Sequence, residues 1–327
     1  MLKEKMTMTK STRIAFLMGS LALFSSMAFA QGSNKPMQII SPNAAGGPND
    51  LIARMIAPKL GELLGQNVVV DDRPSANGVV GAEMVARATP DGSVIAIGNS
   101  GTHAVNATLY RQLPYDPVRD FAPITELVSN GLVIVSNPAF GANTVQELIA
   151  LAKKEQGKIN VAVAGATGEL AGNAIKIQGK ISMTNIPYKG GAPAIVAVIS
   201  GESDFVITTF GSVIPHVNAG RLKALAVTSA KRLALMPNVP TVAESGLEGY
   251  EVVMWYGLFA PARTPEAVVR RLRDAVVRVL SMSEIRDRLV ADAYEVIGNT
   301  PDEFAALVKL EVEKYRKIIL ESGMTRL

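Results

Sequence analysis

The order of strand-forming and helix-forming segments predicts an α/β protein of two lobes, each a mostly parallel sheet flanked by helices. Three observations predict it. A unit of strand, small-residue loop and helix opens the chain and recurs past its middle. Short β-branched runs alternate with amphipathic stretches, the pattern of parallel sheets covered on both faces. Finally, 327 residues exceed what one ordinary core needs.

The opening segment is read apart from the fold. Lys3, Lys5, Lys10 and Arg13 precede the apolar run 14–24, and Ala28-Phe29-Ala30 has the A-x-A form of a cleavage site. Residues 1–30 are therefore expected to be a signal peptide, cleaved after Ala30. The whole chain carries 33 basic and 29 acidic residues, but the leader holds four of the basic and one of the acidic ones, so 29 face 28 in the remainder. That near balance lacks the electrostatic footprint of a nucleic-acid binder, and no nucleic-acid partner is expected. Cysteine is absent and the two histidines, His103 and His216, lie far apart. Thiolate ligands are thus excluded, and neither a metal nor a cofactor is expected.

The first unit is the most informative. QIIS (38–41) reads as a buried strand, 42–47 as a loop, and Pro48 to Gly65 as a helix with proline at its first position, Asp50 in its first turn and glycine as its stop. Ile52, Met55, Ile56, Leu60, Leu63 and Leu64 form its apolar stripe. The free N–H groups at such a helix start, beside a glycine loop, make an anion site without a basic side chain.

The next run, 67–71, reads as a strand buried on both faces. A helix over 78–88 with Val80, Met84 and Val85 follows, then a strand at 94–97 ending in Gly98-Asn99-Ser100-Gly101. Residues 113–123 are a proline-punctuated connector. A strand at 132–135 leads to a helix opened by the capping box Thr144-x-x-Glu147.

The strand 158–164 runs into a second glycine loop, 165–168, with a short helix from about Glu169. Helix 192–200, strand 204–208 (ending in Thr208-Thr209), strand 222–228, loop 237–249 and a long strand 251–259 follow. Two amphipathic helices finish the chain. One starts at Thr264-Pro265, with Val268, Leu272, Val276 and Leu280 on one side, and the other at the capping box of Thr300 and Glu303. This order places 31–131 in lobe 1, completed by 254–327, and 132–253 in lobe 2. The strands near 132–135 and 253–259 cross between them as a hinge, and loops at the carboxyl ends of the strands enclose one cleft.

Other chemistries fit less well. Ala45-Gly46-Gly47-Pro48 lacks the spaced glycines of a dinucleotide loop, and no G-K-[ST] follows. Ser100 and His103 suggest an exported α/β hydrolase, the alternative from a different class, but no G-x-S-x-G elbow holds the serine. Trp255 and Tyr256 are hinge packing or a ligand-facing aromatic.

The chain resembles the Bug, or TctC-type, solute receptors of tripartite tricarboxylate transporters. The resemblance rests on PNAAGGPND (42–50), ARATPDGSVIAIGNSGTHAVN (86–106), LPYDPVRDFAPIT (113–125), IPYKGGAPA (186–194), IPHVNAGRLKALAVTSAKR (214–232) and VPTVAESGLEGYEV (239–252). It implies a two-lobed periplasmic-binding-protein architecture and a non-enzymatic, periplasmic receptor without cofactor or metal. The receptor would act as a monomer, handing a small carboxylate to the membrane subunits of such a transporter; a sensor role without transport is the variant reading.

The implied ligand set is Asn43, Ala44, Ala45, Gly46, Gly47 and Asp50 with Asn99 and Ser100 from lobe 1. Gly165, Ala166, Thr167 and Gly168 with Thr208 and Thr209 come from lobe 2. The chain departs from the family at Asn43, usually aromatic, and at Ala45, usually proline, which gives a wetter mouth. Glu169 replaces a common histidine and is expected to point away or to meet a donor. Thr208 replaces an acid of some relatives, which favours a carboxylate without an amino group.

Overall fold

The computed structural model describes residues 36–163 and 165–327; the leader and its cleavage point lie outside the described residues. The first unit folds as its local chemistry dictates. Strand β1 (Met37–Ser41) leads to helix α1 (Pro48–Leu64), with Pro48 in its first turn and Gly65 closing it in the left-handed conformation, φ 68°. Ile52, Ile56, Leu60 and Leu64 are buried with Ala53 and Ala57, whereas Leu63 is 41% exposed and lies outside the stripe assigned to it.

Strand β2 (Val68–Asp72), helix α2 (Val79–Ala86) and strand β3 (Val94–Asn99) complete the parallel trio, with β1 between β2 and β3. Two expectations fail here. β2 is an edge strand with Val69 40% exposed, not one buried on both faces, and α2 turns Val80 and Met84 outward while Gly81, Ala82 and Val85 face the sheet.

After the short helix α3 (Asn106–Leu109) comes strand β4 (Phe121–Ser136), far longer than the 132–135 read from sequence. Its first three residues, Phe121 to Pro123, fall in the stretch that reads from sequence as a proline-punctuated connector. Pro123 is accommodated at a register shift, where a strand tolerates a residue without an N–H.

Helix α4 (Val145–Lys154), strand β5 (Asn160–Val163), helix α5 (Ala166–Gly179), strand β6 (Thr184–Pro187), helix α6 (Gly191–Ser200), strand β7 (Phe205–Thr209), helix α7 (Phe210–Asn218) and strand β8 (Lys223–Val227) follow. Strand β9 (Val253–Pro261) returns to the first sheet. Helices α8 (Glu266–Leu280) and α9 (Ser283–Ala291), strand β10 (Glu295–Val296) and helix α10 (Pro301–Ser322) end the fold. Three helices close the chain, not the two expected; α9 buries only Ile285 and Leu289, too few to register as a period.

The strand order is β2-β1-β3-β9-β4-β7-β5-β6, with β8 and β10 also paired to β4. Each lobe keeps a parallel trio, β2-β1-β3 and β6-β5-β7, but β4 and β9 are antiparallel to their neighbours. The sheets are therefore mixed, not mostly parallel. The reason is geometric: β4 leaves the first lobe and β9 comes back to it, so they must run in opposite senses. β4 pairs with β9 through Gly131 and with β7 from Leu132 onward. Because both sheets share that strand, Met37–Leu327 form one compact unit.

Candidate functional site

Four helices that each follow a strand, α1, α5, α6 and α7, have N-termini without a side-chain cap. N-cap Gly47 of α1, Gly165 of α5 and Gly190 of α6 offer no side-chain cap, and neither does Thr209 before α7. Elsewhere, α8 and α9 also lack a side-chain cap, whereas two helices carry one. Thr144 caps α4, and Thr300 with Glu303 forms a complete capping box on α10. In α4 the box is displaced by one residue, since Glu147 reaches back to the Asn143 N–H. Uncapped helix starts keep their donors and their positive dipole ends for something outside the chain.

In the first loop, Gly46 takes φ 79° and gives its N–H to Asp50 Oδ2 at 2.8 Å, while the Gly47 N–H bonds the Ala44 carbonyl at 3.1 Å. Both glycine donors are thus spent inside the loop. The N–H groups of Ala44, Ala45, Asn49 and Asp50 have no acceptor among the described residues. Asp50, expected among the ligands, is 3% exposed, cinches the loop and is ion-paired with Arg54, which also reaches Asp72 at 2.7 Å.

A buried asparagine relay fixes this loop to the end of β3. Asn99 Nδ2 donates to Asn49 Oδ1 at 2.8 Å and to Asn43 Oδ1 at 3.3 Å, and Asn49 Nδ2 donates to the Ile97 carbonyl at 2.8 Å. Asn99 Oδ1 in turn accepts the Thr102 N–H at 2.9 Å. Asn49 and Thr102 were missed from sequence. Their partners are known only once β1 and β3 are side by side.

The second loop is shorter than expected. Gly165 takes φ 105°, and Ala166, Thr167 and Gly168 already form the first turn of α5, which runs fourteen residues and is not the short helix anticipated from Glu169. Gly168 is required by packing: a Cβ there would lie 2.6 Å from the Ile207 carbonyl oxygen on β7. Thr208 Oγ1 lies 3.8 Å from where a Gly191 Cβ would be, so the ends of β7, α5 and α6 converge. Thr209 bonds Ser212 at 2.8 Å. Glu169 meets the Asn185 amide of β6 at 3.4 Å, and Lys176, its pKa lowered by burial, donates to the same Asn185 at 2.6 Å.

The register sets the two loop systems against each other. Asn99, the last residue of β3, pairs with Tyr256 of β9, which pairs with Val128 of β4. Thr209, the last residue of β7, pairs with Leu132 of β4. β3 runs with β4 and β7 runs against it. Their carboxyl ends therefore point at each other, separated along β4 by about 13 Å at 3.3 Å per residue. Among the described residues no hydrogen bond joins the lobe 1 set to the lobe 2 set.

Residues 52–324 match the family described as Tripartite tricarboxylate transporter family receptor, TctC. The chain belongs to that family. It is 33% identical over 291 residues to the "UPF0065 protein in tcbD-tcbE intergenic region" of a Pseudomonas species, covering 88% of this chain and 86% of that protein. Among solved structures it is similar to R. palustris Rpa4515 with adipate (31% identity, TM-score 0.74, 89% of this chain and 98% of that one). It is also similar to MatC from Rhodopseudomonas palustris with bound malate (30% identity, TM-score 0.71, 87% and 98%). TctC proteins and these neighbours are solute-binding receptors of two-lobed fold, not enzymes.

The remaining candidates of this TctC chain are structural. His103 is fully buried, stacks on Phe259 with ring centroids 3.9 Å apart, and meets Phe121 edge-on at 4.5 Å. Burial lowers its pKa to about 3. Its Nδ1 bonds Thr102 Oγ1 at 2.8 Å, and among the described residues neither Nε2 nor the buried Ser100 hydroxyl has a partner. Serine and histidine make no hydrogen bond to each other, so the hydrolase pair does not form.

Trp255, fully buried, reaches Glu311 at 3.4 Å, and Tyr256, 2% exposed, packs on Tyr294. Both are buried in the core, on opposite faces of β9. Cavities of about 610 and 580 Å³ lie elsewhere, and no ligand-set residue lines either. Among the described residues no helix is long and apolar enough to cross a membrane, and no cluster of side chains could hold a metal ion.

Proposed function

We propose that this receptor captures a small dicarboxylate lacking an amino group in the cleft between residues 31–131 with 254–327 and residues 132–253. Delivery is to the membrane subunits of a tripartite tricarboxylate-type transporter. One observation carries the reading: uncapped helix N-termini of opposite lobes face each other across a short stretch of β4. Donors left open on both sides suit a guest with negative charge at each end, and charge-assisted bonds are roughly twice as strong as neutral ones. The adipate and malate of the structural neighbours are of this class. The switch of β4 partners between Gly131 and Leu132 supports the lobe boundary.

Closure on the ligand works by population shift: the guest binds the closed form better and so increases it. The leader 1–30 brings the chain to the periplasm, where it acts as a monomer. A thermal-shift panel of adipate, malate, citrate, benzoate and glutamate on residues 31–327 tests the reading. A dicarboxylate at 100 times its Kd adds about 2.7 kcal/mol of stability, and glutamate adds less. A panel in which no carboxylate raises the Tm overturns it.

A further inference from the structure

The cavity of about 610 Å³ lies beside the strand crossing, with walls from both lobes. Its buried polar groups are Glu126 and Asn130 of β4 and Glu311 of α10, which are 6%, 9% and 2% exposed. Glu311 is held by Trp255 Nε1 and Lys314. The Glu126 side chain accepts one long bond, 3.3 Å, from the Asn299 amide. The Asn130 side-chain oxygen has no partner among the described residues. Val253, Val296 and Leu307 supply apolar lining. The cations of the wall are exposed at the rim, and Arg232 among them is engaged by Glu244.

We propose that this cavity is a second ligand site, separate from the carboxylate cleft, for a small organic cation bearing a primary ammonium. Glu126 and Glu311 are its counter-charges and the Asn130 amide oxygen its hydrogen-bond acceptor. An ammonium has three donors and no acceptor, which suits a wall carrying two carboxylates and the unpartnered Asn130 side-chain oxygen. The volume suits a small molecule. A bare metal ion suits it less, because the acids do not form a metal-binding group among the described residues.

The charge pattern agrees. Burial first, then Glu311, Glu295 and Glu251, push the Glu126 carboxyl up to about 8. A cation placed among these four acids relieves both effects, while Lys231, Arg232 and Arg286 stay at the rim and Lys314 stays on Glu311.

Titration calorimetry with butylamine hydrochloride, on the mature chain in physiological salt above pH 8, tests the site. One saturable equivalent is expected, with affinity that rises with pH as Glu126 ionises. Glu126→Gln, which keeps the shape and removes a buried charge, and Asn130→Ala should each weaken binding at least tenfold. Absence of saturable heat, or wild-type affinity in either folded variant, overturns the proposal. Carboxylates are absent from the titration, so its outcome is independent of the cleft.

Discussion

Asn99 gives its amide hydrogen to Asn49 at 2.8 Å, and Asn49 passes its own to the Ile97 carbonyl at the same distance. The start of α1 is thereby tied to the end of β3 through buried side chains. Asn49→Ala leaves the Ile97 carbonyl and the Asn99 amide short of partners, which costs about 1–3 kcal/mol. Urea unfolding should show the lower midpoint, and carboxylate affinity should fall with it. An unchanged midpoint would contradict the relay.

Gly168→Ala should damage the second cradle more than its size suggests. The new methyl meets the Ile207 carbonyl, which is backbone and cannot swing away. Relief requires α5 to shift, at about 1–3 kcal/mol. The affinity measured by calorimetry should drop even where the protein still folds. Gly165→Ala has open space but keeps φ 105°, so its cost is backbone strain of about 1–3 kcal/mol.

Two buried groups pull stability in opposite directions with pH. The folded pKa of His103 is lowered to about 3, so its contribution is present above the ordinary value of 6.5 and is lost as pH falls below it. Glu126 is raised to about 8, so its contribution is present below the ordinary 4.5 and is lost as pH rises toward 8. Each slope is about 1.4 kcal/mol per pH unit within its window. Between pH 4.5 and 6.5 they offset each other. Glu126→Gln should uncover the histidine slope there and should be more stable than wild type near pH 8. Chemical denaturation across pH 4.5–8 reads both effects, and a Glu126→Gln curve parallel to wild type would refute the assignment.

Ser100→Ala should leave stability unchanged or raise it, by about 0–2 kcal/mol, because the buried hydroxyl has no partner among the described residues to lose. A melting curve decides it. A fall of several degrees would mean that the hydroxyl carries a bond the structure does not show.

The parts of this molecule legible in its sequence are those written in adjacent residues. Pro48 and Gly65 bracket α1, and Thr300 with Glu303 opens α10, because caps and stops act within one helical turn. Gly46 and Gly165 mark their loops because both take positive φ. What was missed depends on distant partners. Asn49 bonds across 48 and 50 residues of sequence. The start of β4 reads as connector because of Pro123, which a register shift accommodates. Ala166 to Gly168 read as loop because glycine is a poor helix former, yet the nearness of β7 admits nothing larger at Gly168. Leu63 sits where periodicity alone could not decide between sheet and solvent.

The sharing of β4 bears on the order in which the chain assembles. The first sheet has its centre filled by β9, so β3 waits for a partner made more than 150 residues later. Residues 132–253 have all their strands to hand earlier. A chain made from its N-terminus thus has the strands of its middle complete before those of its beginning, and the slow step of refolding should be the late docking of Val253–Pro261 between β3 and β4.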